Sequence, residues 1–348
     1  MTTIFKAAVL RETGQPLSVE NLVVPKIQYG QVLVQIQYSG VCRSQLMEVS
    51  GKRGEDNFLP HLLGHEGVGR VLEVGSGVTK VKNGDDVIVG WIKGNGINAS
   101  NPIYLSENGS KINAGAVTTF SEMTVVSENR VYLKPKDLEQ EISVLFGCSF
   151  LTGAGLVFNE VTPKKNDTVL ILGLGGVGLA ALLSSVQINP GKIIVADRSS
   201  KKRLIAKELG AKIVLDSNAK DFIEQVKSVS EGGVDIAYEC AGFIESIETA
   251  FECIKEGGGR LIFASHPSSG QKIKLDPFEL IKGKSIQGSW GGNSSPDSDI
   301  PRFTKKMKSQ LSYLHKLIGK KYSLEDINIA LEDLENGETA KPLIYMKL

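Results

Sequence analysis

Val169-Leu-Ile-Leu-Gly173-Leu-Gly175-Gly176-Val177-Gly178 is an apolar run that turns through glycines into a second apolar stretch, Leu179-Ala-Ala-Leu-Leu. A short uninterrupted apolar run reads as a buried strand, and the stretch after the glycines reads as a helix. Gly173, Gly175 and Gly178 have the spacing of a dinucleotide fingerprint. The first glycine allows the tight turn, the second lets the backbone approach a pyrophosphate, and the third lets the helix pack closely on the sheet. The helix start then offers free N–H groups and a partial positive charge to the phosphates. Asp197, after the next apolar segment, suits the ribose hydroxyls and would repel a 2′-phosphate, which favours NAD over NADP; Arg198 beside it points the other way.

Outward from this turn, strand and helix patterns alternate. Strands are expected at 168–172, 192–196, 212–215, 234–239, 260–263 and 285–288, with helices at 176–187, 200–209, 221–227 and 246–253. Six strands with short crossovers make a doubly wound parallel sheet. The first 150 residues differ: Val32-Leu-Val-Gln-Ile-Gln-Tyr alternates apolar and polar side chains, 69–74 does so less strictly, and glycines punctuate the chain. This is the pattern of a mainly antiparallel β domain. Residues 93–112, rich in Gly, Asn and Ser, read as a long surface loop. A helix is expected at 303–318, and the ending Ala340-Lys-Pro-Leu-Ile-Tyr reads as a strand returning to the N-terminal domain.

The chain has 348 residues, 41% hydrophobic and 23% charged, with a formal charge of +1 from 40 basic and 39 acidic side chains. That length suggests two domains, and the balance lacks the basic footprint of a nucleic-acid binder. Its apolar runs are too short to span a bilayer, and its opening, Met1-Thr-Thr-Ile-Phe-Lys, lacks the pattern of a signal peptide. A cytoplasmic location is expected, with neither nucleic acid nor membrane as partner. Four cysteines in a reducing compartment favour metal binding over disulfides.

Three residues far apart in sequence carry the chemistry. Cys42 lies in Gly40-Val-Cys-Arg-Ser, His65 in Gly64-His-Glu-Gly-Val-Gly and Cys148 in Gly147-Cys-Ser. Two thiolates and an imidazole leave one tetrahedral position open on zinc, the arrangement of a catalytic rather than a structural site. Singly, each has a plainer reading, as a core cysteine or a structural histidine; Cys240, Cys253, His61 and His315 are read that way. A Lewis acid and a nicotinamide in one chain suggest hydride transfer to or from an alcohol carbon.

These motifs, together with Gly84-Asp-Asp-Val, Tyr238-Glu-Cys-Ala-Gly and Tyr322-Ser-Leu-Glu-Asp-Ile-Asn-Ile-Ala, resemble the medium-chain zinc-dependent alcohol and polyol dehydrogenases over nearly the whole chain. The resemblance implies a Rossmann-type NAD-binding domain (150–290) and a mainly antiparallel, GroES-like catalytic domain (1–149 with 291–348). It implies one catalytic zinc per chain on Cys42, His65 and Cys148, with Glu66 as a carboxylate that coordinates transiently and Ser44 as the hydroxyl that takes the substrate proton. Arg43 and Lys341 fall where the family places cations for the pyrophosphate. Thr152 packs on the nicotinamide, Gly173, Gly175, Gly176, Val177 and Gly178 form the phosphate turn, and Asp197 and Lys202 meet the adenosine ribose. Trp91, His266, Ser289 and Trp290 are expected at the substrate pocket; ordinary core aromatics and a surface histidine are the plain alternative. The implied enzyme is an NAD-dependent dehydrogenase of secondary alcohols, polyols or sugar-like substrates, a homodimer or homotetramer.

Three departures stand out. The family usually carries a second, structural zinc on four cysteines after Gly84-Asp-Asp-Val, and no cysteine occurs between positions 90 and 125. Gln45 occupies a position where the family usually has an acidic residue behind the zinc-bound histidine, and Met47 stands near where classical members place a histidine that hands the proton to solvent. Zinc-free quinone or enoyl reductases of the same fold lack the Cys/His set, which argues against that alternative, as does Asp197. A tightly bound NAD in a net non-redox reaction stays open.

Overall fold

A strand of apolar residues with no polar break must be covered on both faces, and Thr168–Leu172 is buried along its whole length. In the computed structural model, which describes residues 3–347, it is β1 of a six-stranded parallel sheet. The other strands are β2 (Lys192–Asp197), β3 (Ile213–Asp216), β4 (Ile236–Glu239), β5 (Arg260–Phe263) and β6 (Ser285–Gly288). Their spatial order, β3-β2-β1-β4-β5-β6, reverses direction beside β1, the point at which doubly wound sheets bind ligands. Between them run α1 (Gly176–Ile188), α2 (Ser200–Glu208), α3 (Phe222–Val229) and α4 (Ile244–Cys253). Gly178 has a steric reason: a Cβ there would lie 1.8 Å from the Gly173 carbonyl oxygen, so only glycine lets α1 start so close to the turn. The six strands and four helices match the sequence expectation to within two residues at each end.

The chain forms two compact units. The sheet unit comprises Ser149–Ser294 and Lys305–Leu317; the other comprises the N-terminal residues to Cys148, Ser295–Thr304 and the C-terminal segment from Ile318. The sequence reading counts all of 291–348 with the N-terminal domain, whereas 305–317 falls in the sheet unit. The expected helix at 303–318 is also two pieces. An α-helix, Pro296–Lys306, begins earlier, with Asp299 Oδ2 accepting from the Ser295 N–H, and a 3-10 helix, Lys308–Leu317, follows.

The N-terminal unit is built on mostly antiparallel pairing. Gln31–Gly40 lies between Glu66–Val74 and the C-terminal strand Leu343–Tyr345, with Met123–Ser127 also paired to it. The returning C-terminal strand is thus as expected. Asp86–Gly90 and Val131–Leu133 extend the sheet beyond Glu66–Val74. A small closed barrel joins Ile4–Leu10, Ser18–Val23, Ile103–Ser106, Lys111–Asn113 and His61–Leu62.

Two of these barrel strands correct the reading of 93–112 as loop. Ile103–Ser106 and Lys111–Asn113 pair as a hairpin, and the buried Tyr104 hydroxyl accepts the Val125 N–H at 2.8 Å. Asn108-Gly109 between alternating residues was a hairpin signal. The preceding stretch is held by a carboxylate. Buried Glu128 accepts from the backbone N–H groups of Thr79 (2.6 Å), Lys80 (2.8 Å) and Ile97 (2.8 Å), so one side chain ties two loops together. Burial pushes its carboxyl up, and the N–H groups of Ile97, Thr79 and Lys80 outweigh this, holding its pKa below the ordinary 4.5. A depressed folded pKa means stability that is present above about pH 4.5 and lost as pH falls through the folded value. Glu128→Gln should therefore cost about 2 kcal/mol at neutral pH. In urea unfolding the gap from wild type should narrow below about pH 4; a gap independent of pH would contradict this role.

Candidate active site

Three elements of the N-terminal unit bring the metal-ligand candidates together. Cys42 caps the start of the helix Arg43–Val49, His65 precedes the strand Glu66–Val74, and Cys148 follows the 3-10 turn Val144–Gly147. Ligand atoms of Cys42, His65, Glu66 and Cys148 all lie within 4.8 Å of one another. Gly147 clears the space: a Cβ there would sit 2.7 Å from the Val89 carbonyl oxygen and 2.9 Å from Glu66 Cβ. Ser39 and Thr119 fix Glu66 from behind, each hydroxyl donating to its carbonyl oxygen at 3.1 Å.

These residues fit zinc by two observations. His65 Nε2 is buried without a hydrogen-bond partner among the described residues, although a buried polar nitrogen ordinarily has one. The Cys42 thiol is also pushed well below its ordinary range, chiefly by the hydrogen bond from Cys148 and further by the Lys341 ammonium, so one sulfur is ready as thiolate. Thiolates and an imidazole are a donor set suited to zinc.

The residue behind His65 is the expected departure. Gln45 Oε1 accepts the Cys42 N–H at 3.0 Å, and its Nε2 lies against His65 Nδ1. With a metal on Nε2, Nδ1 carries the proton and needs an acceptor. The single oxygen of the amide faces two donors, Cys42 N–H and His65 Nδ1–H, whereas a carboxylate has an oxygen for each. Gln45→Glu should therefore tighten zinc binding by about tenfold or more, read by chelator competition. Unchanged or weaker affinity would contradict it. Ser44 Oγ stands 3.4 Å from the same Nδ1.

Lys341, read from the sequence as a pyrophosphate cation, is 3% exposed, and its ammonium donates to Glu66 Oε1. Trp91 follows Gly90, which pairs directly with Glu66. Arg43 is half-buried at the first turn of its helix.

In the sheet unit, Gly173, Gly175, Gly176, Val177 and Gly178 form the turn into α1, as expected. Asp197 ends β2, with Oδ2 accepting from Leu174 N–H at 2.7 Å and Oδ1 from Ser199 N–H at 2.8 Å. A carboxylate offers about four lone-pair sites, so about two stay available for hydroxyl donors. Lys202 lies in the first turn of α2, capped by Ser199. Thr152 is buried, with a hydroxyl that has no partner among the described residues. His266 is exposed, Ser289 donates to Glu160 Oε1 at 2.8 Å, and Trp290 is 80% exposed, which excludes the ordinary-core reading for that indole. Cys240 and Cys253 are buried and His61 is paired with Asp56, as the plain readings expect. Arg130 was missed: no sequence pattern marks an arginine that will be buried.

Comparison with known proteins agrees with this geometry. The family model described as alcohol dehydrogenase GroES-like domain matches residues 28–136, and that described as zinc-binding dehydrogenase matches 176–309. The chain is 32% identical over 368 aligned positions to an S-(hydroxymethyl)glutathione dehydrogenase of Synechocystis sp., covering 98% of this chain and 99% of that one. Among solved structures it is similar to benzyl alcohol dehydrogenase of Acinetobacter calcoaceticus (TM-score 0.89, 28% identity, 99% of both chains). It is likewise similar to an alcohol dehydrogenase zinc-binding domain protein of Burkholderia ambifaria (TM-score 0.91, 26% identity, 100% of both). The chain belongs to the medium-chain, zinc-dependent alcohol dehydrogenase family. It is an oxidoreductase that interconverts an alcohol and its carbonyl compound with zinc and NAD as cofactors.

Proposed function

We propose that the protein oxidises a secondary alcohol, polyol or sugar-like substrate with NAD, or reduces the corresponding ketone. The observation that carries this is the convergence of Cys42, His65, Glu66 and Cys148 with an unpartnered imidazole nitrogen. When bound, zinc supplies a Lewis acid for the alcohol oxygen, and NAD a hydride acceptor. Cys42, His65 and Cys148 hold the metal, and Glu66 stands by as an alternative ligand. The N-terminal unit serves as the catalytic domain and the sheet unit, which includes Lys305–Leu317, as the NAD-binding one.

Each other residue has a role in binding or proton movement. Arg43 and Lys341 supply positive charge for the pyrophosphate, Lys341 through a side chain shared with Glu66. The turn from Gly173 to Gly178 cradles the phosphates, Asp197 and Lys202 meet the ribose, and Thr152 bounds the nicotinamide. Trp91, His266, Ser289 and Trp290 are assigned to the substrate pocket. Ser44 takes the proton from the substrate hydroxyl and passes it to the ribose; Met47 is no base, so the relay ends there or continues through water.

A homodimer or homotetramer is supported by β6, an edge strand whose neighbouring helix Pro277–Ile281 exposes Phe278, Leu280 and Ile281. A cytoplasmic site of action is supported by four free cysteines; no single described helix is long and apolar enough to cross a membrane.

Following NADH absorbance across a panel of secondary alcohols and polyols tests the reading. Turnover with NAD is expected, and Ser44→Ala should lower kcat by about 10²-fold or more, with Ser44→Thr retaining much of the activity. No turnover of any alcohol would overturn the function; a wild-type rate in Ser44→Ala would remove Ser44 from the proton path.

A further inference from the structure

A cleft of about 400 Å³ opens on the N-terminal unit, lined by no residue given a role above. Three parts of the fold build it. Tyr38 of the strand Gln31–Gly40 stands opposite Tyr345 of the C-terminal strand, the helix Gln140–Ser143 adds Gln140 and Glu141, and the strand Lys321–Ser323 adds Lys321. The Lys321 ammonium donates to Glu141 Oε1 at 2.6 Å from a side chain that is half exposed.

Two side chains of this cleft carry an unsatisfied oxygen. Gln37 Oε1 and Gln140 Oε1 are buried without a hydrogen-bond partner among the described residues. A buried acceptor is costly to leave unpaired and ordinarily has a donor. Gln37 reaches the cleft through a break in the sheet. Ile36 is opposite Gly69 and Tyr38 is opposite Val68, so Gln37 is an extra residue in its strand. Such a bulge re-aims a side chain, and Gln37 and Tyr38 line the same cleft although they are neighbours in a strand. Burial and the neighbouring Glu141 push the Tyr38 phenol up, so its ring stays uncharged. The cleft therefore offers two amide oxygens, a carboxylate and two phenol rings, a set that calls for a donor-rich cation.

We propose that this cleft is a second ligand site, which binds a small molecule through its guanidinium group. A guanidinium has five N–H donors in one plane, enough for Gln37 Oε1, Gln140 Oε1 and the Glu141 carboxylate together. Its flat face stacks on a phenol ring such as that of Tyr38 or Tyr345. A urea has the plane without the charge, and an alkylammonium the charge without the plane. Lys321 holds the place of the missing cation. Its partly exposed ion pair contributes little, so the arriving group displaces the ammonium into solvent at small cost. The volume lies at the lower end of the range of small-molecule sites. The inference does not depend on which alcohol the enzyme oxidises.

The test is calorimetric titration of the zinc-loaded protein, saturated with NAD so that the nucleotide turn is filled. The probes are butylguanidine, its neutral analogue butylurea, and butylamine. Butylguanidine should bind saturably at one site per chain, about tenfold or more tighter than either of the others. Gln37→Met and Gln140→Met each remove one acceptor at nearly constant size and should each weaken it about tenfold. Lys321→Met removes the competing ammonium and should tighten butylguanidine about threefold, a gain that loss of a purely structural ion pair would not give. Absence of saturable binding, or equal affinity for the three probes, would overturn the proposal. So would unchanged affinity in both glutamine variants, or unchanged or weaker affinity in Lys321→Met. The comparison of probes on wild type needs no variant to fold.

Discussion

A Cys148→Ser protein is expected to lose its zinc and its turnover while keeping its fold and its affinity for NAD. Cys148 is 7% exposed and supplies one of the two sulfurs in the group within 4.8 Å. Serine is smaller and, at neutral pH, offers a protonated hard oxygen where zinc takes a soft thiolate. A metal acting as Lewis acid is worth several kcal/mol; at 1.36 kcal/mol per tenfold, about 4 kcal/mol corresponds to a loss of about 10³-fold. The nucleotide turn and Asp197 belong to the other unit and use backbone groups and their own carboxylate. NAD titration should therefore give an affinity near wild type, with elemental analysis showing the metal gone. Retained zinc and turnover would contradict the ligand assignment; lost NAD affinity in a folded protein would contradict the division of labour.

The second large effect is on stability. Glu66 is 0% exposed and Lys341 3%; Glu66 Oε1 makes the ion pair, and Oε2 has no partner among the described residues. Burial pushes the Glu66 carboxyl up against the opposing charge of Lys341. The Lys341 ammonium, which burial alone would push down, is raised by Glu66, Cys42 and Cys148. Removing one member of such a pair leaves a buried charge uncompensated. Lys341→Met should thus cost about 3–5 kcal/mol in urea unfolding of the metal-free protein. Glu66→Gln added to it should recover most of that loss, because both charges are then gone. A single variant within about 1 kcal/mol of wild type would mean that the ammonium does not stabilise Glu66.

The parallel sheet was legible because its signals are local. The strand at 168–172 is uniformly apolar, the glycines after it have fixed offsets, and Gly210 stops the helix beginning at Ser200. The cysteine and histidine ligands were legible only together, since their meeting depends on three separated elements and on the room left by Gly147. The hairpin at Ile103–Ser106 and Lys111–Asn113 was obscured by the surrounding Gly, Asn and Ser, although Asn108-Gly109 marked its turn. What sequence could not supply was pairing across distance. Nothing at position 341 announces a buried partner for Glu66, and nothing at 128 announces a carboxylate tying down 79, 80 and 97. Arg130 reads as an ordinary surface charge, yet the 3-10 helix Glu128–Arg130 buries it.

One catalytic zinc centre, and no second metal, is expected to serve each chain. Among the described residues one group of three or more metal-binding side chains converges, and no cysteine lies between positions 90 and 125 to build another. Elemental analysis of protein expressed with ample zinc measures this directly, combined with turnover before and after chelation. About one zinc per chain is expected, with turnover lost on removal and regained on zinc addition. A content near two, or a metal-free protein that still oxidises alcohols with NAD, would contradict it.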